Sequence, residues 1–131
     1  MKELRVIIAG GRDFDDFPFL RKKSNEILYD IDNKYDDFET ICIVSGNANG
    51  ADRLGEQYAK ACGYSLHCFP ANWDVYGKSA GYRRNADMAM FAKKDNSIGV
   101  LIAFWDGKSK GTKHMIDLAN KHGLEVHVIN Y

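Results

Sequence analysis

Leu4-Arg5-Val6-Ile7-Ile8-Ala9-Gly10-Gly11-Arg12-Asp13-Phe14 decides the fold. A short apolar, β-branched run stops at two glycines, and charge follows at once. A run that is apolar on both faces reads as a strand covered on both sides, as in a parallel sheet. The same unit recurs down the chain. Ile41–Val44 ends at Ser45-Gly46, Ser65–Phe69 at Pro70, and Ile98–Trp105 at Asp106-Gly107, while Glu125–Asn130 is the last such run.

Amphipathic stretches alternate with these runs. One opens near Asp16-Phe17-Pro18, a cap residue with proline in the first turn, and repeats Leu20, Ile27, Leu28 and Ile31 at helical spacing. A second is predicted from Ala51 to Cys62 and stops at Gly63; Leu54, Tyr58 and Ala61 share its apolar side. A third is predicted from Ala80 to Lys94 with Met88, Ala89 and Phe91 inward, and a fourth from Gly111 to His122 with Met115, Ile116 and Ala119 inward. Strands alternating with helices imply right-handed crossovers and an α/β fold. The expectation is a single Rossmann-like, doubly wound domain over residues 1–131. Its five-stranded, mainly parallel sheet would have the order 3-2-1-4-5, with helices on both faces. The acidic stretch Asp32–Glu39 reads as a solvated connection.

Composition narrows the function. A chain of 131 residues supports one core. Lys+Arg and Asp+Glu are both 18, which argues against a general nucleic-acid binder, since that would show a basic excess. The acidic side chains nevertheless concentrate before residue 70. Several later cations (Lys78, Arg83, Arg84, Lys108, Lys110, Lys113) cluster near glycine-bearing turns. The longest apolar run, Ile98–Trp105, is far too short to cross a bilayer, so no membrane partner is expected. Met1-Lys2-Glu3 leads directly into the first strand, without a cleavable apolar segment. Cys42, Cys62 and Cys68 lack metal spacing; free thiols in a reducing cytoplasm are expected, with no metal.

Ligands of open α/β sheets bind beyond the carboxyl ends of the strands, here at the switch point between strands 1 and 4. Three glycine-bearing loops fall there: Gly10-Gly11-Arg12-Asp13, Ser45-Gly46-Asn47-Ala48-Asn49-Gly50-Ala51-Asp52, and Asp106-Gly107-Lys108-Ser109-Lys110-Gly111-Thr112. Any one of them could be just a tight turn. Three at one edge point to an anion cradle, because glycine lets backbone N–H groups approach and helix N-termini add positive potential. Neither familiar phosphate motif is present. The Walker A glycine is replaced by Asn72 before Gly77-Lys78-Ser79 and by Ile102 before Gly107-Lys108-Ser109. The dinucleotide fingerprint is absent after strand 1. The long connection from Pro70 to Asn85 combines Trp73, Tyr76 and Tyr82 with Lys78, Arg83 and Arg84. Rings can stack on a base, and cations can neutralise phosphate.

These segments carry a family resemblance. Gly10-Gly11-Arg12-Asp13-Phe14, Ser45-Gly46-x-Ala48-x-Gly50-Ala51-Asp52, Pro70-Ala71-x-Trp73, Gly77-Lys78-x-Ala80-Gly81-x-x-Arg84-Asn85-x-x-Met88 and Phe104-Trp105-Asp106-Gly107-x-Ser109-x-Gly111-Thr112 occur in order. Together they resemble the YspA/YpsA-related branch of the SLOG superfamily, kin to DprA and to the Lonely-Guy phosphoribohydrolases. The resemblance implies a Rossmann-like domain that binds a nucleotide or nucleotide-derived molecule, such as ADP-ribose, an NAD-related species or a nucleoside monophosphate. It also implies a homodimer or higher homo-oligomer. No other cofactor is implied. Lonely-Guy enzymes place a catalytic glutamate three residues after the threonine of their glycine loop, where this chain has Met115. Methionine can neither act as a base nor stabilise an oxocarbenium ion, so phosphate binding carries over better than hydrolysis.

The candidate ligand-binding residues are Gly10, Gly11, Arg12, Gly46, Asn47, Gly50, Asp52, Trp73, Lys78, Arg84, Asn85, Gly107, Lys108, Ser109, Gly111 and Thr112. Asp13, Asp52 and Asp106 are the carboxylates that could serve catalysis, and each has a structural alternative as a cap or turn residue. Asp74 and His114 are weaker candidates still. The main alternative to a binder is an N-glycosidase or phosphoribohydrolase-like enzyme. A DprA-like nucleic-acid accessory role comes last, because the net charge is zero.

Overall fold

The structure, a computed structural model, describes residues 2–131. The elements in chain order are β1 (Lys2–Gly10), α1 (Phe17–Lys34), β2 (Phe38–Ser45), α2 (Ala51–Cys62), β3 (Ser65–Cys68), α3 (Trp73–Tyr76), α4 (Ala80–Lys93), β4 (Ile98–Trp105), α5 (Lys110–Lys121) and β5 (Glu125–Asn130). One five-stranded sheet has the order β3-β2-β1-β4-β5, and every adjacent pair is parallel. The expected Rossmann-like order is therefore observed.

Side-chain alternation explains the two faces. Successive residues of a strand point to opposite sides. Leu4, Val6 and Ile8 of β1 join Val100, Ile102 and Phe104 of β4 in one core cluster, covered by Leu20, Leu28 and Ile31 of α1 and by Tyr58 of α2. Ile7 and Ala9 join Leu101 and Ala103 in the opposite cluster, under Met88 and Ala89 of α4 and Met115 of α5. Both faces are buried, which is why the central strands read as continuous apolar runs. The one charged exception, Arg5, is satisfied. It donates to Glu3 at 2.8 Å, to the Phe91 carbonyl at 2.6 Å and to Asp95 at 3.2 Å.

Local signals set the helix ends. Asp16 caps α1 by accepting the Phe19 N–H at 3.1 Å, with Pro18 in the first turn. Gly63 ends α2 at φ +72°, a left-handed conformation that glycine adopts without strain. One expectation needs correcting. Asp32–Glu39 is not one solvated connection, since α1 runs to Lys34 and β2 starts at Phe38. Tyr35 and Phe38 pack against the core there and draw the chain in, and Lys2 pairs with Asp37 at 2.9 Å. The long connection after β3 carries short helical turns of its own. Asn72 caps the single turn α3 by accepting the Val75 N–H at 3.2 Å, and a 3-10 turn at Gly77–Ser79 follows. The three cysteines are free, and no helix among the described residues is long and apolar enough to cross a membrane.

The closeness of α2 to β1 rests on Gly55. A Cβ at that position would stand 2.9 Å from the Ile8 Cβ. Alanine is the better helix former by about 1 kcal/mol, but overpacking a closed core costs roughly 1–3 kcal/mol. Gly55→Ala is therefore expected to lower the melting midpoint. A midpoint that rises in thermal denaturation would show that helix and strand can separate freely.

Candidate functional site

A cleft of ≈ 240 Å³ opens at the carboxyl ends of β1, β2 and β4. Its walls come from every connection on that edge: Ala9, Gly10 and Arg12 after β1, Ala48 and Asp52 at α2, Trp73 and Lys78 after β3, Tyr82, Arg84, Asn85 and Met88 on α4, and Ser109, Gly111, Thr112 and Met115 at α5. A second cavity of ≈ 320 Å³ adjoins it and shares Arg12, Ala48, Trp73 and Arg84; Gly46 and Asn47 line only this second one.

Ten of the sequence candidates thus meet in the main cleft: Gly10, Arg12, Asp52, Trp73, Lys78, Arg84, Asn85, Ser109, Gly111 and Thr112. Gly11, Gly50, Gly107, Lys108, Asp13 and Asp106 lie outside both cavities. Asp13 accepts the Tyr131 hydroxyl at 2.7 Å instead of holding Arg12. Asp106 accepts the N–H groups of Lys108 and Ser109, each at 2.8 Å. These bonds hold its carboxyl below the usual range, so it is a turn residue. Asp74 sits in the first turn of α3, outside both cavities.

Several backbone N–H groups of the glycine loops are already used by the protein. The Gly11 N–H donates to the Phe104 carbonyl at 3.1 Å, and the Ala51 N–H donates to the Gly11 carbonyl at 3.1 Å. The Asn47 N–H donates to Ser45 Oγ, and the Ala48 N–H to the Asp52 carboxylate. These bonds bring strand and helix together in the first two loops. The start of α5 adjoins open space. Ser109 caps it by accepting the Thr112 N–H at 3.4 Å, yet the N–H groups of Lys110 and Gly111 have no acceptor among the described residues. A Cβ on Gly111 would meet nothing within 4 Å, so open space adjoins a free N–H at a helix N-terminus.

Arg84 is the cleft's most constrained cation. It donates through Nη1 to the Gly46 carbonyl and through Nε to Asn85 Oδ1 at 3.0 Å. Burial lowers its pKa, Asp52 opposes that, and Arg12 adds repulsion. Neither Arg12 nor Arg84 forms an ion pair with a carboxylate among the described residues. Asn85 is buried, and its Nδ2 lies 3.4 Å from the Gly111 carbonyl and 3.2 Å from His114 Nδ1. Burial holds the His114 imidazole below its usual pKa, and the Tyr82 ring packs edge-on at 4.4 Å.

Sequence reading placed Met88 and Met115 in the core. They are core residues that also line the cleft. Ala9 and Ala48 were not singled out as lining residues. Their signal was small side chains at strand ends, which leave room beside the backbone. The Asn85–His114 contact spans two helices and had no local signal.

A Rossmann-like sheet with its cleft at the switch point defines the class. The sequence profile of the YspA, cpYpsA-related SLOG family matches residues 4–76, more than half of the chain, and the chain belongs to that family. The matched part runs from β1 through α3 and contains both the Gly10–Phe14 and Ser45–Asp52 motifs. The "Gene 61 protein" of Mycobacterium phage D29 is 34% identical over 91 residues, covering 66% of this chain and 69% of that relative. No solved structure gives a significant match.

Asp52 gives the site a pH signature. Burial pushes its carboxyl up to about 6, against the lowering effects of the Ala48 N–H, Arg84 and Arg12. The folded chain thus holds this proton more tightly than the unfolded chain, whose carboxyl ionises near 3.8. The contribution favours folding at low pH and is lost as the pH rises through about 6. Relative to Asp52→Asn, the natural chain should lose at most about 3 kcal/mol of stability across that window. Urea denaturation at a series of pH values measures it; a constant difference would mean that the carboxyl titrates normally.

Proposed function

We propose that the chain binds a phosphorylated nucleoside or another nucleotide-derived small molecule in the main cleft. The observation that carries this reading is a convergence: Arg12, Lys78 and Arg84 meet the rings of Trp73 and Tyr82 and the free N–H of Gly111 in one cleft, although they come from three separate segments, after β1, after β3 and after β4. Cations and a helix N-terminus suit phosphate. Half-exposed aromatic rings suit a base, because stacking needs a flat face and tolerates any ring system. Asn85, Ser109 and Thr112 add neutral donors and acceptors for hydroxyls. The zero net charge agrees with a small cationic site rather than a basic surface for nucleic acid. The three free thiols suit a reducing cytoplasm.

Binding is favoured over hydrolysis because buried Met115 stands at the cleft wall where the related hydrolases would need a glutamate. A hydrolytic reading rests on Asp52, the one carboxylate among the residues lining the cleft, whose carboxyl ionises at about 6 and is suited to proton transfer near neutrality. Chromatography after incubation with NAD, AMP and ADP-ribose separates the two: unchanged compounds support the binder, and released base or ribose phosphate supports the enzyme.

Gly111→Asp and Arg84→Ala test the site directly. The Gly111 position has open space, so the aspartate is accommodated while its charge opposes phosphate. Each variant should weaken AMP and ADP-ribose binding by about tenfold or more, since bonds to charged groups contribute roughly 1.5–3 kcal/mol. Calorimetric affinities equal to those of the unaltered chain in both variants would mean that the ligand lies elsewhere.

A further inference from the structure

Resting on the phosphate-binding part of the proposed function, we infer that the main cleft takes up a proton together with its anion, and that Asp52 is the group that receives it. Asp52 lines the cleft although the residue is buried, only 6% exposed. Its Oδ2 accepts the Ala48 N–H at 3.2 Å, and its Oδ1 accepts no hydrogen bond among the described residues. A buried carboxylate oxygen without a donor depends on the charges around it.

Those charges are two arginines that belong to the same site. Arg12 follows β1 and Arg84 comes from α4; both attract the carboxylate, and neither forms a direct ion pair with it. Gly46 makes room for the approach. A Cβ there would stand 2.8 Å from Arg84 Nη1 and 2.8 Å from Asp52 Oδ2, so guanidinium and carboxylate flank a position that has no side chain. Asp52 is thus the internal counterion of the cleft. Glu56, one turn further along α2, repels the Asp52 carboxylate and is itself engaged, accepting from Ser45 at 2.7 Å and from Asn47 at 3.2 Å. Lys78 lines the cleft from after β3, and His114 of α5 touches the cleft wall at Asn85 and Tyr82.

A phosphate that pairs with Arg12 and Arg84 competes with Asp52 for the same two cations. In its carboxylate form, Asp52 opposes the ligand's charge from a desolvated wall. A proton taken from solvent removes that repulsion and adds a donor, since a neutral carboxyl has an O–H to offer a phosphate oxygen. The arginines are then released to the ligand. Desolvation already carries the Asp52 pKa up to about 6 against the pull of both arginines. An added anion raises it further, so binding and protonation favour each other. Affinity is therefore full below about pH 6 and falls as the pH rises through that value and beyond.

Titrations of the full chain with ADP-ribose and with sulfate test the inference. Neither probe changes its charge between about pH 5 and about pH 8, unlike AMP, whose phosphate ionises near about 6. Both affinities should fall about tenfold across that range, the effect of a one-unit rise in the carboxyl pKa on binding. Calorimetry in two buffers of different ionisation enthalpy should show net proton uptake near neutrality. In Asp52→Asn, whose side-chain oxygen still accepts the Ala48 N–H, the pH dependence and the proton uptake should both vanish. His114→Gln should retain both. Affinity that stays constant or rises with pH overturns the inference, as does a pH dependence that survives in Asp52→Asn. If sulfate binds with proton uptake while ADP-ribose binds at no pH, the inference stands and the nucleotide reading falls. Binding of neither probe overturns both.

Discussion

Gly11 joins three elements, and the arrangement of the site depends on that joint. Its N–H donates to the Phe104 carbonyl of β4, and its carbonyl accepts from Phe14 at 3.2 Å and from Ala51 at the start of α2 at 3.1 Å. A side chain on Gly10 would collide with the Phe104 carbonyl and with Ala51, and one on Gly50 would collide with the Gly11 carbonyl. Gly50 also sits at φ +81°, which a residue with a Cβ rarely adopts. Three positions without side chains let two strands and a helix start meet in backbone contact. That contact sets how far Arg12 and Asp52 stand from α4 across the cleft. Phe14 and Phe104 stack at 5.0 Å beneath it, so the joint rests on packed aromatic surface rather than on hydrogen bonds alone.

The same joint explains the electrostatics. With α2 held against β1, Asp52 is carried out of water, and desolvation becomes the largest influence on its carboxyl. Its compensation is local, through the Ala48 N–H at 3.2 Å. Arg84 arrives from α4 and satisfies the Gly46 carbonyl, which ties the second glycine loop to the opposite layer of helices. Below that loop, Ser45 donates to Glu56 at 2.7 Å while accepting from Asn47, so the polar turn is built from both ends. Charges are thus placed by packing, and their mutual spacing follows from the sheet.

Strands, helices and their order were legible because each is a local pattern. Apolar runs bounded by glycine or proline mark the strands, and the caps at Asp16 and Gly63 act within a few residues. The region of the site was legible for a related reason: every connection on one edge carries glycine, charge or aromatic residues, and topology places that edge. The roles within it were less legible. Gly10 and Gly50, which read as part of an anion cradle, are close-approach positions, because a side chain there would collide with the backbone of another segment. Asp13 finds Tyr131, a residue 118 positions away, which no local rule brings to it.

By itself, then, the sequence determined the α/β class, the strand order, the edge that bears the cleft and most of the side chains that line it. Periodicity and turn chemistry are short-range, and short-range physics is written residue by residue. Tertiary structure alone decided which N–H groups stay free, which carboxylate is desolvated, and that the cleft has a neighbouring cavity across Arg12 and Arg84. Those properties depend on distances between elements far apart in the chain. Hydrogen-bond partners and desolvation are assigned only once the sheet has closed against its two layers of helices.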